Sequence, residues 1–391
     1  MALFELVSST HASGDYMPGG PVSGDNAAPA IAALMHGDLA GYAAHQPTMG
    51  ATSLLLRAPI LWLAHALHGN PMLGYQLGAF ICLLPLGLFA GWLVARRSAP
   101  SIERFSGAIV AVLLVLGPVV QDAVSSGHPE SVLKGVLSVA AVLAALAGRT
   151  RWAAVLLGLA VGTKPDALIA VPAVLVALPE RRWESLGIAA AISAALVGLP
   201  PLANPGAFVS ALHGESATHA VNDLSLWWPL GATVHFASGA LAPGHLLPFG
   251  LSRSGASIIA VVVVAPILGW AYLRSRRRGL PTDALALLAL LGLVRCLCDS
   301  THLEYYWFTA LMPLAAWEVI SARRLPLLTA ISSLAIDWLS DASPHFDPVA
   351  VNAISIGGMV LLTWYLSRAA FGSPAAPATD AQATAGRVST V

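Results

Sequence analysis

Apolar runs recur along almost the whole chain, and they limit its possible folds more than any other feature. The runs lie at 72–95, 107–124, 132–147, 152–162, 167–178, 186–199, 256–273, 284–298, 305–319, 325–339 and 349–366. Hydrophobic residues make up 57% of the chain and charged residues only 10%, whereas soluble domains carry roughly 25% charged residues. Several runs approach the roughly 20 residues that a membrane-spanning helix needs. The sequence therefore predicts an all-α, polytopic membrane protein with about 10–12 transmembrane helices.

Arginines cluster in every second gap between these runs. The clusters lie at 96–104, 149–151, 181–182, 274–278, 323–324 and 368. Because basic residues favour the cytoplasmic side of a membrane, these gaps are predicted to be cytoplasmic. The twelve histidines and most of the acidic residues then fall outside or at outer helix ends. The polar chemistry is therefore predicted on the outer face, in a cleft formed by outer loops and interfacial helices.

Composition divides the chain into three regions. Residues 1–49 are polar and rich in turns and are predicted to form an outer first loop, residues 50–370 the membrane domain, and residues 371–391 a disordered cytoplasmic tail. The interrupted apolar stretch at 50–68 favours an interfacial helix. The residues before Ser13 are too few to form a span that would place this loop outside, so we expect Met1 to be an internal start with a first helix upstream of it.

The first loop carries three carboxylates, Asp15, Asp25 and Asp38. A short helix is predicted over 27–36, and the pair Asp25 and Asn26 stands where the N-terminal cap of this helix belongs, with Pro29 in the first turn. A carboxylate held in this way is either a cap only or a catalytic base. Since few capping carboxylates are catalytic, the residues alone favour the cap.

The runs at 152–162 and 167–178 form a broken pair between two basic gaps, so the chain must cross outward and return. Each limb is roughly 17 Å long at 1.5 Å per residue, which is shorter than the ~30 Å apolar core of a bilayer. The segment between the limbs, residues 163–166, is called the tip. It is predicted to line a cavity, because charge at that depth is tolerated only against protein or water. Lys164 at the tip would either bind a phosphate or pair with Asp166 as a neutral structural element.

Two further predicted outer turns concentrate polar and aromatic residues. The first contains Asp122, His128, Glu130 and Lys134, and the second contains Arg295, Asp299, His302, Glu304, Tyr305 and Tyr306. Each turn holds one acid–base pair four residues apart, which is also the spacing of an ordinary surface ion pair on a helix. The second turn also fits an interfacial aromatic belt with charges that extend to the membrane surface.

Signatures of several enzyme classes are absent from the sequence. It has no Walker A motif, no G-x-G-x-x-G after a strand, no D-x-D, no nucleophile elbow and no H-E-x-x-H, which disfavours a cytosolic nucleotide-sugar enzyme. The cysteines at 82, 296 and 298 lie inside apolar runs, which favours packing over a metal site or a disulfide. No metal site and no cofactor are predicted, and metal dependence stays open. A net charge of zero argues against a nucleic-acid partner.

Three motifs and the aspartates of the first loop point to a known family. The motifs are G-H-P-E-S-V-L-K-G at 127–135, G-L-A-V-G-T-K-P-D-A-L at 158–168 and R-C-L-C-D-S-T-H-L-E-Y-Y-W at 295–307. Together they resemble the C-type-fold (GT-C) membrane glycosyltransferases, and most closely the polyprenol-phosphate-sugar-dependent, mannosyltransferase-like family 87. The likeness covers most of residues 13–320.

The resemblance implies an inverting transfer of mannose, or of another hexose or pentose, from a polyprenyl-phosphate donor. The acceptor would be a glycan, a lipid or a protein on the outer face of the cell membrane. Asp25 matches the general base of the family, with Asp15 as the substitute, and Lys164 and Arg295 are the candidates for binding the donor phosphate. The candidates for substrate binding are Asp38, Asp122, His128, Glu130, Lys134, Asp166, His302 and Tyr305.

A multi-pass transporter or flippase of a polar or lipid-linked solute is the main alternative. Such a protein should show internal repeats and charges in broken helices at the membrane midplane. The sequence has one broken pair, no matching repeat, and acids concentrated in the predicted outer loops, which favours the enzyme. A third interpretation, a scaffold without catalytic activity, predicts that Asp25 and Lys164 can both be replaced without loss of function.

Overall fold

The computed structural model describes most of the chain. Its described residues are 27–45, 50–67, 71–96, 117–125, 128–178, 180–216, 220–234, 244–277, 283–300, 304–342 and 345–371. Helices dominate these ranges, which confirms the predicted all-α class. The predicted bases Asp15 and Asp25, the candidate His302 and the tail after Phe371 lie outside the described residues.

The helices follow the predicted apolar runs closely within the described residues, and positions 107–116 of the run at 107–124 lie outside them. The first half of the chain forms α1 (Ala27–Met35), α2 (Leu39–Ala44), α3 (Ala51–Ala66), α4 (Pro71–Arg96), α5 (Pro118–Ser125), α6 (Pro129–Leu146), α7 (Thr150–Thr163), α8 (Val171–Ala177), α9 (Arg182–Ala203) and α10 (Pro205–Ser216). The second half forms α11 (Arg253–Ile258), α12 (Ala265–Arg277), α13 (Ala284–Cys298), α14 (Phe308–Ala316), α15 (Leu327–Ala342) and α16 (Pro348–Phe371). The π-helical turns Ile259–Val264 and Trp317–Ser321 extend α11 and α14, and the 3₁₀ turns Pro165–Ala170 and Glu304–Trp307 precede α8 and α14.

A small antiparallel sheet lies between α10 and α11, and the sequence did not predict it. Its strands are β1 (Ala220–Val221), β2 (Ala232–Val234) and β3 (Gly244–Leu246), with β3 in the centre. Each strand is only two or three residues long, so no alternating pattern of apolar and polar residues could develop. The sheet closes a loop that packs on the bundle and leaves the helical class unchanged.

The loop between β1 and β2 is bonded to the C-terminal end of α13. The Trp227 indole donates to the carbonyl oxygen of Cys298 at 2.7 Å, and the Ser225 hydroxyl donates to that of Asp299 at 2.7 Å. The Asn352 amide of α16 donates to the carbonyl of Ser225 at 2.9 Å. These bonds fix the loop over the segment that carries the last polar residues of α13.

Helix α13 forms the centre of the main hydrophobic core. Every position from Ala284 to Leu293 is buried. The Asp283 side chain caps the helix by accepting from the amides of Leu285 and Ala286, at 2.9 and 3.2 Å, which satisfies two of the unpaired amides at the helix start. The helix contacts α8, α14 and α16, while α6 contacts α4, α7 and α14. The turn before α8 consequently lies against both α6 and α13.

Glycine at position 292 allows α13 and α14 to approach closely. A Cβ atom built on Gly292 would collide with the carbonyl oxygen of Thr309. We therefore expect Gly292→Ala to lower the free energy of unfolding by about 1–3 kcal/mol, the usual cost of overpacking. Gly357→Ala in α16 is the matched control, because no described atom lies within 4 Å of the added methyl group. Thermal unfolding of the detergent-solubilised variants measures the difference, and equal melting temperatures would contradict this packing.

Two helices among the described residues, α6 and α16, are long and apolar enough to cross a membrane. Helix α6 is 78% buried by other parts of the protein, whereas α16 is only 28% buried and turns most of its apolar surface outward. Helices α7 and α13 are apolar but shorter. The 10–12 spans predicted above, the interfacial position of α3 and the division into three regions stay predictions.

Candidate functional site

The predicted broken pair is present, and proline creates the break. Helix α7 ends at Thr163, and Lys164 adopts an extended conformation with φ −145° and ψ 127°. Pro165 then opens the 3₁₀ turn that leads into α8. Proline disfavours the helical conformation of the preceding residue and has no amide hydrogen to donate. The chain therefore leaves its helix at Lys164, and the tip points its polar side chains toward α6 and α13.

Lys164 binds residues at the start of α6. Its ammonium nitrogen lies 2.9 Å from the Glu130 carboxylate and donates to the Ser131 hydroxyl at 2.8 Å. The same oxygen of Glu130 lies 3.0 Å from Nδ1 of His128. The His128 ring stacks on Tyr305, with 4.2 Å between ring centroids. The Glu130 side chain is fully buried, so this charge pair is enclosed by protein.

Asp166 binds two cations on different helices. Its Oδ2 atom accepts from the Lys134 ammonium of α6 at 2.8 Å and lies 3.1 Å from Nε of Arg295 on α13. Arg295 also pairs with Asp299 at 3.0 Å. The Tyr306 ring joins the two halves of the site, because its centroid lies 4.5 Å from the Arg295 guanidinium and 5.4 Å from the Lys164 ammonium.

These residues form one connected site, which we call the ionic cluster. Its members are His128, Glu130, Ser131, Lys134, Lys164, Asp166, Arg295, Asp299, Tyr305 and Tyr306. Three cations face three carboxylates, so the cluster is balanced in charge. Buried charges need such pairing, since removal of one partner typically costs about 3–5 kcal/mol by leaving the other uncompensated.

The ion pairs differ from those that spacing along the sequence indicated. Lys164 and Asp166 each bind other helices, so the tip is not the self-paired element considered above. A surface pair between Glu130 and Lys134 is wrong: both side chains are at most 1% exposed, and each pairs with a residue of the tip. The pair between Arg295 and Asp299 is present, but it is buried. Spacing along the sequence indicates only which residues are neighbours on the same helix. The observed ion pairs instead join α6, the tip and α13.

Four buried polar atoms of the ionic cluster have no hydrogen-bond partner among the described residues. They are Oε2 of Glu130, Oδ1 of Asp166, and Nε and Nη1 of Arg295. Native proteins leave few buried polar groups unpaired, because each costs roughly 1–3 kcal/mol. Two acceptors and one cationic side chain would be satisfied by a ligand that carries hydroxyl groups and an anionic group.

The other predicted site residues fall into two groups. Asp122 adjoins the ionic cluster, because its Oδ2 atom accepts from the amide of Tyr305 at 3.1 Å. Asp38 instead caps α2: its Oδ1 atom accepts from the amide of Gly41 at 2.8 Å, at an exposed position. The helix predicted over 27–36 is present as α1, although the carboxylates before it are not described.

Gly50, the residue directly after the first loop, contacts the tip of the broken pair. The amide of Gly50 donates to the carbonyl of Thr163 at 2.7 Å. A Cβ atom on Gly50 would collide with the carbonyl of Gly162, so the two backbones are in contact. The Thr52 hydroxyl donates to the carbonyl of Leu159 at 3.2 Å. The residues that follow the first loop thus lie directly beside Lys164.

Three residues of the ionic cluster were not predicted from the sequence as site residues: Ser131, Asp299 and Tyr306. All three lie in the motifs that carried the resemblance, and two of them stand in the predicted second outer turn. The sequence indicated these residues only through their place in short polar motifs of an otherwise apolar chain. The contacts between the motifs could not be predicted, because they depend on how α6, α13 and the tip pack together.

Glu304, in the turn between α13 and α14, makes the stability dependent on pH. Burial, reinforced by the negative charges of Asp122 and Asp337, raises the pKa of its carboxyl from 4.5 to about 7. Such a group contributes stability that is full below its unfolded pKa and is lost as the pH rises through its folded pKa. We expect the melting temperature to fall between pH 5 and pH 8, and to fall less in Glu304→Gln. Parallel melting curves for the two proteins would contradict this assignment.

Comparison with known families identifies the class of this chain. The family model described as glycosyltransferase family 87 matches residues 48–300, which is more than half of the chain and includes the broken pair and most of the ionic cluster. The protein is thus a glycosyltransferase. It belongs to glycosyltransferase family 87, which confirms the resemblance stated above. Membership of this family and the two long apolar helices together suggest a membrane protein. Neither curated proteins nor solved structures gave a significant match to the chain.

Proposed function

We propose that the protein transfers a sugar from a polyprenyl-phosphate donor to an acceptor on the outer face of the cell membrane, with inversion at the anomeric carbon. The observation that carries the proposal is the ionic cluster, which gathers Lys164, Arg295 and buried carboxylates at the break between two short helices. The sugar is mannose or another hexose or pentose. The acceptor is a glycan, a lipid or a protein, and nucleic acid has no part in the reaction.

Lys164 and Arg295 are the proposed ligands of the donor phosphate. The leaving polyprenyl phosphate gains negative charge as the glycosidic bond breaks, and preorganised cations in a water-poor site stabilise such charge most effectively. Glu130 and Asp166 hold the two cations in place before the donor arrives. Nη1 of Arg295, which has no hydrogen-bond partner among the described residues, is directed to a phosphate oxygen in this proposal.

The unpaired carboxylate oxygens of the ionic cluster are proposed to bind the sugar. Oε2 of Glu130 and Oδ1 of Asp166 can each accept from a sugar hydroxyl. His128 and Tyr305 form a stacked pair, and Lys134 donates to the other oxygen of Asp166, Oδ2. Asp122 supports the site indirectly through the backbone of Tyr305. Donor binding would then exchange cation–carboxylate bonds for bonds to phosphate and sugar.

The first loop supplies the proposed general base, Asp25, with Asp15 as the substitute, and His302 is a further polar group near the acceptor. The acceptor hydroxyl loses its proton as it attacks the anomeric carbon, which a positioned carboxylate can accelerate by about 10²–10⁴-fold. In an inverting reaction the base and the leaving group lie on opposite faces of the sugar. The contact between Gly50 and Gly162 supports this assignment, because Gly50 follows the first loop directly in the sequence and lies close to Lys164.

A lipid-borne donor suits the surroundings of the ionic cluster better than a soluble one. The cluster lies between apolar helices, and the sequence has no nucleotide-binding signature. No cofactor is included in the proposal. Among the described residues, no group of three or more histidine, cysteine and acidic side chains is arranged to hold a metal ion.

A transporter or flippase is the second candidate, because charged residues at a break between short helices are also typical of transporter binding sites. A vesicle experiment separates the two functions. The protein is reconstituted with a polyprenyl-phosphate sugar labelled in the sugar and with candidate acceptors on one side. We expect the label to move from the donor to an acceptor or to water, while the donor is consumed. Label that crosses the bilayer on an intact donor, with no product, would instead support transport.

A further inference from the structure

A long apolar groove lies on the bundle, and none of its lining residues belongs to the ionic cluster. Its volume is about 770 Å³, and α15, α16 and the turn after α14 form its walls. It extends from Trp307 and Leu224 at one end to Arg324 and Tyr365 at the other. Leu327, Ile331, Ile354 and Leu361 line the groove and are more than half exposed. The groove is therefore open along the bundle and presents a surface suited to a hydrocarbon chain.

Charge is confined to one end of this groove. Of the described residues that line it, only Glu318 and Arg324 are charged, and both lie at the Tyr365 end. Glu318 is occupied as a cap of α15, since its carboxylate accepts from the amides of Leu328 and Thr329 at 3.1 and 2.9 Å. The lining at the Trp307 end, nearest the ionic cluster, carries no charge among these residues.

Arg324 is held in place yet keeps capacity to bind an anion. Its guanidinium pairs with Glu318 at 3.2 Å and donates to the Tyr365 hydroxyl at 2.8 Å. It also lies 4.9 Å from the centroid of the Trp317 ring. Its Nε atom is buried, but a guanidinium carries five N–H donors, and 41% of the side chain is exposed. A guanidinium fixed in this way favours planar contacts with a phosphate.

Two further arginines give this end of the groove a net positive charge. Arg323 is exposed beside Arg324, and Arg368, near the end of α16, stacks on Trp364 with its guanidinium 4.3 Å from the ring centroid. Glu318 balances only one of these three cations. By the distribution of basic residues along the chain, this end is predicted to be cytoplasmic.

We propose that the groove binds one anionic phospholipid of the cytoplasmic leaflet, with its phosphate on Arg324 and an acyl chain along α15 and α16. Anionic lipids are attracted to clustered basic residues at the cytoplasmic surface, and the apolar walls shield the chain from water. The tail of the sugar donor fits this site less well, because its phosphate would lie at the uncharged Trp307 end. The proposal goes beyond sugar transfer and does not depend on it.

Native mass spectrometry of the full chain in neutral detergent tests the proposal. Equal amounts of phosphatidylglycerol and phosphatidylcholine are added, and the lipid retained by the protein is counted. We expect wild type to retain phosphatidylglycerol at least about fivefold better, as expected for a charged lipid beside a basic residue. Arg324→Gln should lose this preference. Arg151→Gln is the matched control, because the Arg151 side chain is 81% exposed on another part of the bundle and should keep the preference.

A second variant keeps the test valid if Arg324→Gln folds poorly. Ile331→Trp fills the groove and leaves Arg324 unchanged, so it should lower retention of phosphatidylglycerol to the level of phosphatidylcholine. Equal retention of both lipids by wild type would overturn the proposal. Displacement of phosphatidylglycerol by polyprenyl phosphate, with the same affinity in wild type and Arg324→Gln, would also overturn it by assigning the groove to the donor tail.

Discussion

Replacement of Asp25 by asparagine is expected to lower sugar transfer by about 10²–10⁴-fold, the usual contribution of a general base. Asparagine keeps the size of the side chain and is as favourable a helix-capping residue as aspartate, so the variant should insert and fold as wild type does. Only the capacity to accept a proton is lost. Initial rates of transfer of labelled sugar from a polyprenyl-phosphate donor measure the effect.

Asp38→Asn is the matched control for this substitution. Asp38 lies in the same part of the chain and also caps a helix, so a general effect of removing a negative charge should appear in both variants. We expect Asp38→Asn to keep most of its activity. Wild-type activity in Asp25→Asn would contradict the assignment and would direct the search for the base to Asp15.

The second large effect is expected at Lys164. Without its ammonium group the donor phosphate loses a preorganised cation, and a reduction of kcat/KM for the donor by about 10²-fold is expected. Substitution by methionine keeps most of the side-chain volume but leaves the buried Glu130 short of a partner. The single variant Lys164→Met is therefore also expected to lose about 3–5 kcal/mol of stability.

The double variant Lys164→Met with Glu130→Gln separates the two effects. Removing both charges together relieves the unpaired carboxylate, so the yield of folded protein and the melting temperature should recover toward wild type. Transfer should stay low, because the phosphate still lacks its cation. If either variant responded to donor concentration as wild type does, a role for Lys164 in phosphate binding would be excluded.

The sequence predicted the helices well because their boundaries have local causes. The run at 284–298 coincides with α13, which begins after the capping residue Asp283 and ends before Asp299. The break at Lys164 was also predictable, since proline follows it and each limb is too short to span a membrane. The sheet between α10 and α11 was not, because its strands are too short for any periodic signal and pair across intervening chain.

The side-chain contacts of the ionic cluster could likewise be predicted only in part from the sequence. The motifs around Glu130, Lys164 and Arg295 contain most residues of the ionic cluster. They could be found in the sequence because an ionisable group inside a membrane-spanning segment is energetically unfavourable and is usually functional. Their partners were not predictable from spacing, since Asp166 binds Lys134 and Arg295 on two other helices. Such contacts depend on helix packing, which is set by many small side chains and by close approaches such as the one at Gly292.

The measurement that tests the central claim most directly is the release of free polyprenyl phosphate by the purified, reconstituted protein. Polyprenyl-phosphate mannose, other polyprenyl-phosphate hexoses and pentoses, and nucleotide sugars are supplied in turn, with wild type and Asp25→Asn in parallel. We predict that at least one lipid-linked donor is consumed, with a sugar product of inverted configuration, and that Asp25→Asn lowers this turnover by about 10²–10⁴-fold. Consumption of a nucleotide sugar, or equal turnover by both proteins, would contradict it.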